Sequence, residues 1–101
     1  GLGNRAGALE GFTGVLEKSR ALAAELNTPE AWMDVAGTRA MLAGLVEGAA
    51  LACEHVRGCK DAAMRVRGMA AELPAVLELL EWCGKTEKEL GCDGDGGVTR
   101  K

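Results

Sequence analysis

Two apolar stripes meet at Gly58, and they constrain the fold more than any other feature of the chain. Leu42, Leu45, Val46, Ala49, Cys53 and Val56 precede the glycine, and Cys59, Ala62, Val66, Met69, Leu73, Leu77 and Leu80 follow it. Both recur at three or four residues, the period of one face of an amphipathic helix. A single Gly between two such faces predicts a bend that folds the helices into an antiparallel hairpin. At 101 residues the chain is one domain, and a fold of that size buries roughly two thirds of its unfolded surface, enough for a few short helices. With no Tyr, one Phe and two Trp, its core must be built from Leu, Val, Met and Ala, which favours closely spaced helices. Ala, Leu, Glu, Lys, Arg and Met are also the better helix formers, whereas the β-branched residues that suit sheets are scarce. The expected fold is all-α, a small up-and-down antiparallel bundle of three to four helices. The 15 Gly make modest stability the expectation, because a Gly inside a helix costs up to ~1 kcal/mol relative to Ala.

Punctuation along the chain sets the expected boundaries. A first helix over 4–26 presents Leu9, Phe12, Val15 or Leu16, Ser19, Leu22, Ala23 and Leu26 on one face. Asn27 suits a helix stop, Thr28 an N-cap, and Pro29 the first turn of the next helix. That helix is expected over 29–36, with Glu30 and Asp34 near its positive end and Trp32, Val35 and Ala36 on its buried side. Gly37 and Thr38 then bend or break it. Two further helices are expected over 39–57 and 59–83, the last kinked or broken before Pro74, which lacks the N–H that a helix interior needs. Gly84 is the expected stop, so residues 1–84 form the bundle and 85–101 a charged, Gly-rich, disordered tail.

Charge and motifs exclude several classes of function. A net charge of −3 and a pI near 5.2 lack the basic face that nucleic acid requires. The most apolar run, Met41 to Cys53, contains Glu47 and is too short to span a bilayer, which takes ~20 residues. No phosphate loop, nucleophile elbow or carboxylate pair is present, and His55 is the only imidazole; neither catalysis nor a cofactor is expected. The acidic run from Cys92 to Gly97 lacks the twelve-residue pattern and closing Glu of a calcium loop. Cys53, Cys59, Cys83 and Cys92 contain no Cys-x-x-Cys pair, so no zinc site is expected. Their even number permits disulfides, which require an oxidising compartment that the sequence does not indicate. Cys53 and Cys59 sit on the apolar stripes and read as small buried hydrophobes. No signal or transit peptide is visible, although the chain begins at Gly1, and a cytoplasmic location is expected.

Two surfaces stand out as candidates. Ala40, Gly44, Gly48 and Ala52 are spaced four apart, a pattern that lets another helix approach closely, either as a dimer seam or within the bundle. Arg57, Lys60, Arg65 and Arg67 gather basic charge in an acidic chain, either as an ordinary solvated face mixed with Asp61 and Glu72 or as contacts for anionic lipid or a partner.

The segment from Cys53 to Lys60, continuing through Met64-Arg65-Val66, resembles the turn between the first two helices of the N-terminal bundles of mixed lineage kinase domain-like pseudokinases. Related bundles occur in plant and fungal signalling proteins. In that family a basic residue and a Cys mark the turn, and an Arg-Val pair lies a turn or two into the next helix. Phe12, Leu16-Glu17, Trp32, Leu42, Leu45 and Ala49 are similar to the later helices, here in rearranged order. The resemblance implies an interaction module of a larger signalling protein, and in some relatives one that binds acidic lipids and permeabilises membranes. Arg57, Lys60 and Arg65 are the turn residues it carries over. The expected function is a non-catalytic protein–protein interaction module whose partner is a protein or an adjoining domain of a longer chain. The alternative is a bundle that binds anionic lipid through Arg57 to Arg67.

Overall fold

The computed structural model describes residues 2–92, with side chains described from residue 7 onward. The rest of the tail expected to be disordered, residues 93–101, lies outside the described residues. Four helices make up the fold: α1 (Leu2–Leu26), α2 (Pro29–Leu45), α3 (Ala49–Met69) and α4 (Pro74–Leu90). They form a small all-α bundle without strands among the described residues. Neighbours in sequence are neighbours in space, so α2 packs between α1 and α3, and α3 between α2 and α4. Contacts from Arg39 to His55 and from Trp32 to Arg65 run α2 and α3 antiparallel. Those from Cys53 to Cys92 and from Lys60 to Glu87 do the same for α3 and α4.

The turn from α1 to α2 forms as its residues dictate. Asn27 takes a left-handed backbone, φ 52°, and its N–H donates to Ala23 O at 2.8 Å. Thr28 Oγ1 accepts from Ala31 N–H at 3.2 Å and Pro29 opens α2, a capped start with proline where no N–H is needed. Asn27 Oδ1 also accepts from the Trp32 indole N–H at 3.0 Å. Gly37 and Thr38 neither bend nor break α2, and Thr38 Oγ1 donates back to Asp34 O at 2.8 Å without ending it.

The bend expected at Gly58 is not there. Gly58 lies inside α3, and the chain reverses instead at residues 46–48, so the expected helices 29–36 and 39–57 are replaced by α2 and the first half of α3. Gly48, with φ 92° and ψ 138°, adopts a conformation that L-residues avoid. Gly58 serves close packing: a Cβ there would stand 2.6 Å from both Cζ and Nε of Arg39.

Pro74 breaks the next helix rather than kinking it. Ala70 ends α3 by donating to Val66 O at 2.7 Å, Leu73 is left extended, and Pro74 starts α4, in line with the bias of a residue before proline away from helix. The expected single helix over 59–83 is therefore two. Gly84 does not stop α4 either. Its α-carbon faces open space, and the good helix formers from Lys85 to Leu90 carry the helix on, so these residues belong to α4 and not to the tail. The stop is Gly91, φ 78°, whose N–H donates to Lys88 O while Cys92 N–H donates to Glu87 O at 2.9 Å, the paired bonds of a Schellman ending.

The main core joins Leu16 and Ala23 of α1, Ala31, Val35, Ala36 and Leu42 of α2, Val56, Cys59 and Ala62 of α3, and Cys83 of α4. A smaller cluster of Ala63, Val66 and Val76 closes the α3–α4 end, with Trp32 and Leu79 packed against both. Small residues dominate, as the composition requires. Leu73 and Leu77, read as one buried stripe with Val66, are exposed because the break at residues 70–73 resets the helical phase, and Met69, in the last turn of α3, is exposed as well.

Candidate functional site

The four basic residues of α3 do not all lie on one flank of the helix. Lys60 Nζ lies 3.4 Å from Glu87 Oε1 of α4, and the Arg65 guanidinium sits 4.6 Å from the centre of the Trp32 ring on α2. Arg67 is in the last turn of α3, where a cation meets the negative end of the helix dipole. Arg57 is half-buried. Lys60 and Arg65 thus occupy opposite flanks of α3, each against a neighbouring helix. Residues 53–60, the turn in the resemblance, are continuous helix.

The small-residue stripe is divided too. Ala40 and Gly44 belong to α2, Gly48 caps α3, and Ala52 is buried in the first turns of α3. A Cβ on Gly44 or Gly48 would touch nothing within 4 Å, so neither glycine lets a second backbone close in. The glycine that does permit close packing is Gly58, and its neighbour Arg39 carried no sequence signal beyond its charge.

Arg39 reaches from α2 across Gly58, placing Nη1 3.3 Å from His55 Nδ1, while its Nε is buried without a hydrogen-bond partner. An arginine only donates, so Nδ1 is the unprotonated acceptor and His55 is neutral in this pairing. Burial, then the positive charge of Arg20, pushes the Arg39 pKa down, with Glu54 and Asp61 opposing. Burial and the Arg39 charge likewise hold His55 below its ordinary 6.5, with Glu54 opposing. The unfolded chain therefore takes up this proton at higher pH than the folded one, and stability from His55, present above about pH 6.5, declines as pH falls from there through the folded pKa. An NMR titration of His55 will show a midpoint below 6.5. Arg39→Gln will raise it part of the way, because burial, the larger cause, remains; an unchanged midpoint in that variant would contradict the Arg39 contact.

The cysteines resolve into two sets. Cys53, at the start of α3, is bonded to Cys92, just past α4, with Cα atoms 5.8 Å apart. Cys59 and Cys83 are free thiols, fully buried, with Sγ atoms 3.4 Å apart. Both stripe cysteines are buried as expected, but Cys53 is a cross-link. The spacing could not reveal this while the reversal was assigned to Gly58, since only an α3–α4 hairpin turning at residues 70–73 brings the first and last cysteines together.

The apolar face read for the first helix is split by the structure, which buries Leu16 and Ala23 but not Val15, Leu22 or Leu26. Ala8, Val15, Leu22 and Leu26 recur along α1 at spacings of seven and four, beside the face that carries Leu16 and Ala23 inward. Val15, Leu22 and Leu26 are 49%, 48% and 55% exposed, because α1 packs chiefly on α2 and the bundle covers only part of its apolar arc. Elsewhere an open groove along α4 is lined by charges of both signs, including Glu78, Glu81, Lys85 and Lys88. Among the described residues no group of three or more His, Cys, Asp or Glu could hold a metal ion, and no helix is long and apolar enough to cross a membrane. Compared with known proteins, the chain matches no family model, no curated protein and no solved structure.

Proposed function

We propose that this chain is a non-catalytic helical-bundle module for protein–protein interaction, part of a larger signalling or adaptor protein, and that it docks its partner through the outer face of α1. The observation that carries this reading is the stripe of Val15, Leu22 and Leu26, three large apolar side chains about half exposed on one helix. Water-facing apolar area of this kind is stabilised by covering it. From the resemblance to pseudokinase bundles the proposal keeps only the class, a bundle that works by docking.

Anionic-lipid binding through Arg57, Lys60, Arg65 and Arg67 draws less support, since Glu87 and Trp32 already engage two of the four. The Cys53–Cys92 bond favours an oxidising compartment over the cytoplasm expected from the sequence.

Site-specific photo-crosslinking tests the proposal. A crosslinker at Leu22, introduced in the longest natural form of the protein, is expected to give one discrete adduct with a partner protein or an adjoining domain, and the same probe at exposed Glu72 none. Changing Val15 and Leu26 to Gln should abolish the adduct while leaving helicity intact. Vesicles containing anionic lipid are the control. Each basic residue at such a surface is worth about 1 kcal/mol, so tight binding lost on changing the four to Gln would overturn the reading in favour of a membrane module.

A further inference from the structure

We infer that Cys59 and Cys83 are the site of a second disulfide, nested inside the first, so that the mature α3–α4 hairpin carries two covalent cross-links. The inference stands on the packing of these two helices and is independent of the α1 docking surface.

The geometry is that of a pair waiting to be joined. The two sulfurs face each other from antiparallel helices at 3.4 Å, within about 1.4 Å of a disulfide bond length. Both side chains are fully buried in the main core, and each has the other as its hydrogen-bond partner. Six residues along α3 from Cys59, and nine along the chain from Cys83, the Cys53–Cys92 bond already holds the hairpin in register. The conditions that form the outer bond therefore act on an inner pair that the same register brings together.

The chemistry is ordinary thiol–disulfide exchange with a low-molecular-weight or protein disulfide as the oxidant. One cysteine, as thiolate, attacks the oxidant's S–S bond to give a mixed disulfide and releases one thiol. The second cysteine then attacks the mixed disulfide and releases the other, so two protein thiols and one external disulfide become one protein disulfide and two external thiols. The folded core is a poor place for the first attack. Both sulfurs are fully buried, out of reach of an external disulfide. The hydrogen bond they share pushes Cys59 up and Cys83 down, but burial opposes the thiolate at both, and only the thiolate is nucleophilic. The bond is thus made while the hairpin is closing, before the two sulfurs are sealed in, and once sealed it is shielded from reductants.

The test is oxidative refolding. The reduced chain is refolded with glutathione disulfide, denatured without reductant, alkylated with iodoacetamide and peptide-mapped. None of the 4 cysteines should be alkylated, and one linked peptide pair should join Cys59 to Cys83 and another Cys53 to Cys92. In Cys53→Ala/Cys92→Ala the inner bond should still form, and its reduction should lower the melting temperature by roughly 10 °C or more, the scale for a loop of this length in a domain of this size. Alkylated Cys59 and Cys83 in the refolded wild-type chain would overturn the inference, as would their linkage to Cys53 or Cys92. If the double variant fails to fold, the wild-type map alone decides.

Discussion

Leu42→Ala is expected to destabilise the protein by about 2–5 kcal/mol, the range for truncating a buried Leu when the surroundings collapse only in part. Leu42 is 1% exposed and is the largest of the fully buried side chains. It sits in the last turns of α2, in a core whose other buried members are, apart from Leu16, all Ala, Val or Cys, so the space it leaves is filled only in part. Native domains hold only about 5–15 kcal/mol in total, and each kcal/mol shifts the melting temperature of a domain this size by about 4–8 °C. Urea denaturation followed by circular dichroism measures the loss. Leu73→Ala is the matched control: Leu73 is 36% exposed and precedes α4, so the same truncation there should cost well under half as much. Equal costs at the two positions would mean that the inward face of the bundle has been assigned wrongly.

Breaking the outer cross-link should have an effect of similar size. Cys92→Ser removes the bond to Cys53 without opening a core cavity, since Cys92 is only half-buried beyond the end of α4. With the inner Cys59–Cys83 pair kept reduced, the bond closes a segment 39 residues long, for which the chain-entropy account gives about 4 kcal/mol; with that pair joined the loss is smaller, because the inner bond already restrains the hairpin. Most of that loss should appear as faster unfolding of the α3–α4 hairpin, and hydrogen exchange should rise first in the last turns of α4, which the bond tethers to the start of α3. Cys53→Ala should cost at least as much, because it adds a small cavity to the same lost bond, and combining the two substitutions should add little to the larger single effect. Two full and additive losses would show that the residues are not joined in solution.

Much of this fold was legible residue by residue wherever the signal was local. Thr28 and Pro29 define the start of α2 because a cap and a proline act through the backbone groups beside them. The all-α class followed from propensities and periodicity, which need no tertiary information. Glycine is where local reading failed. Gly48, Gly58 and Gly84 look alike in sequence, yet Gly48 turns the chain, Gly58 makes room for Arg39, and Gly84 continues a helix in open solvent. A glycine permits a bend without requiring one. Where the chain reverses is set by the arrangement that buries Val35, Leu42, Val56 and Cys59 in one core.

The candidate surfaces divide in the same way. The sequence alone supplied the charges of Arg57, Lys60, Arg65 and Arg67 and the thiols of the four cysteines, which are properties of side chains. Only the tertiary structure decided what those groups meet: Glu87 and Trp32 for two of the basic residues, Cys92 for Cys53, and Cys83 for Cys59. It also decided which apolar residues of α1 stay in water, since α2 covers Leu16 and Ala23 and leaves Val15, Leu22 and Leu26 exposed. Periodicity marks the side chains that favour burial. Which of them are buried depends on how many neighbouring helices reach each face, and no local pattern in a single chain encodes that number.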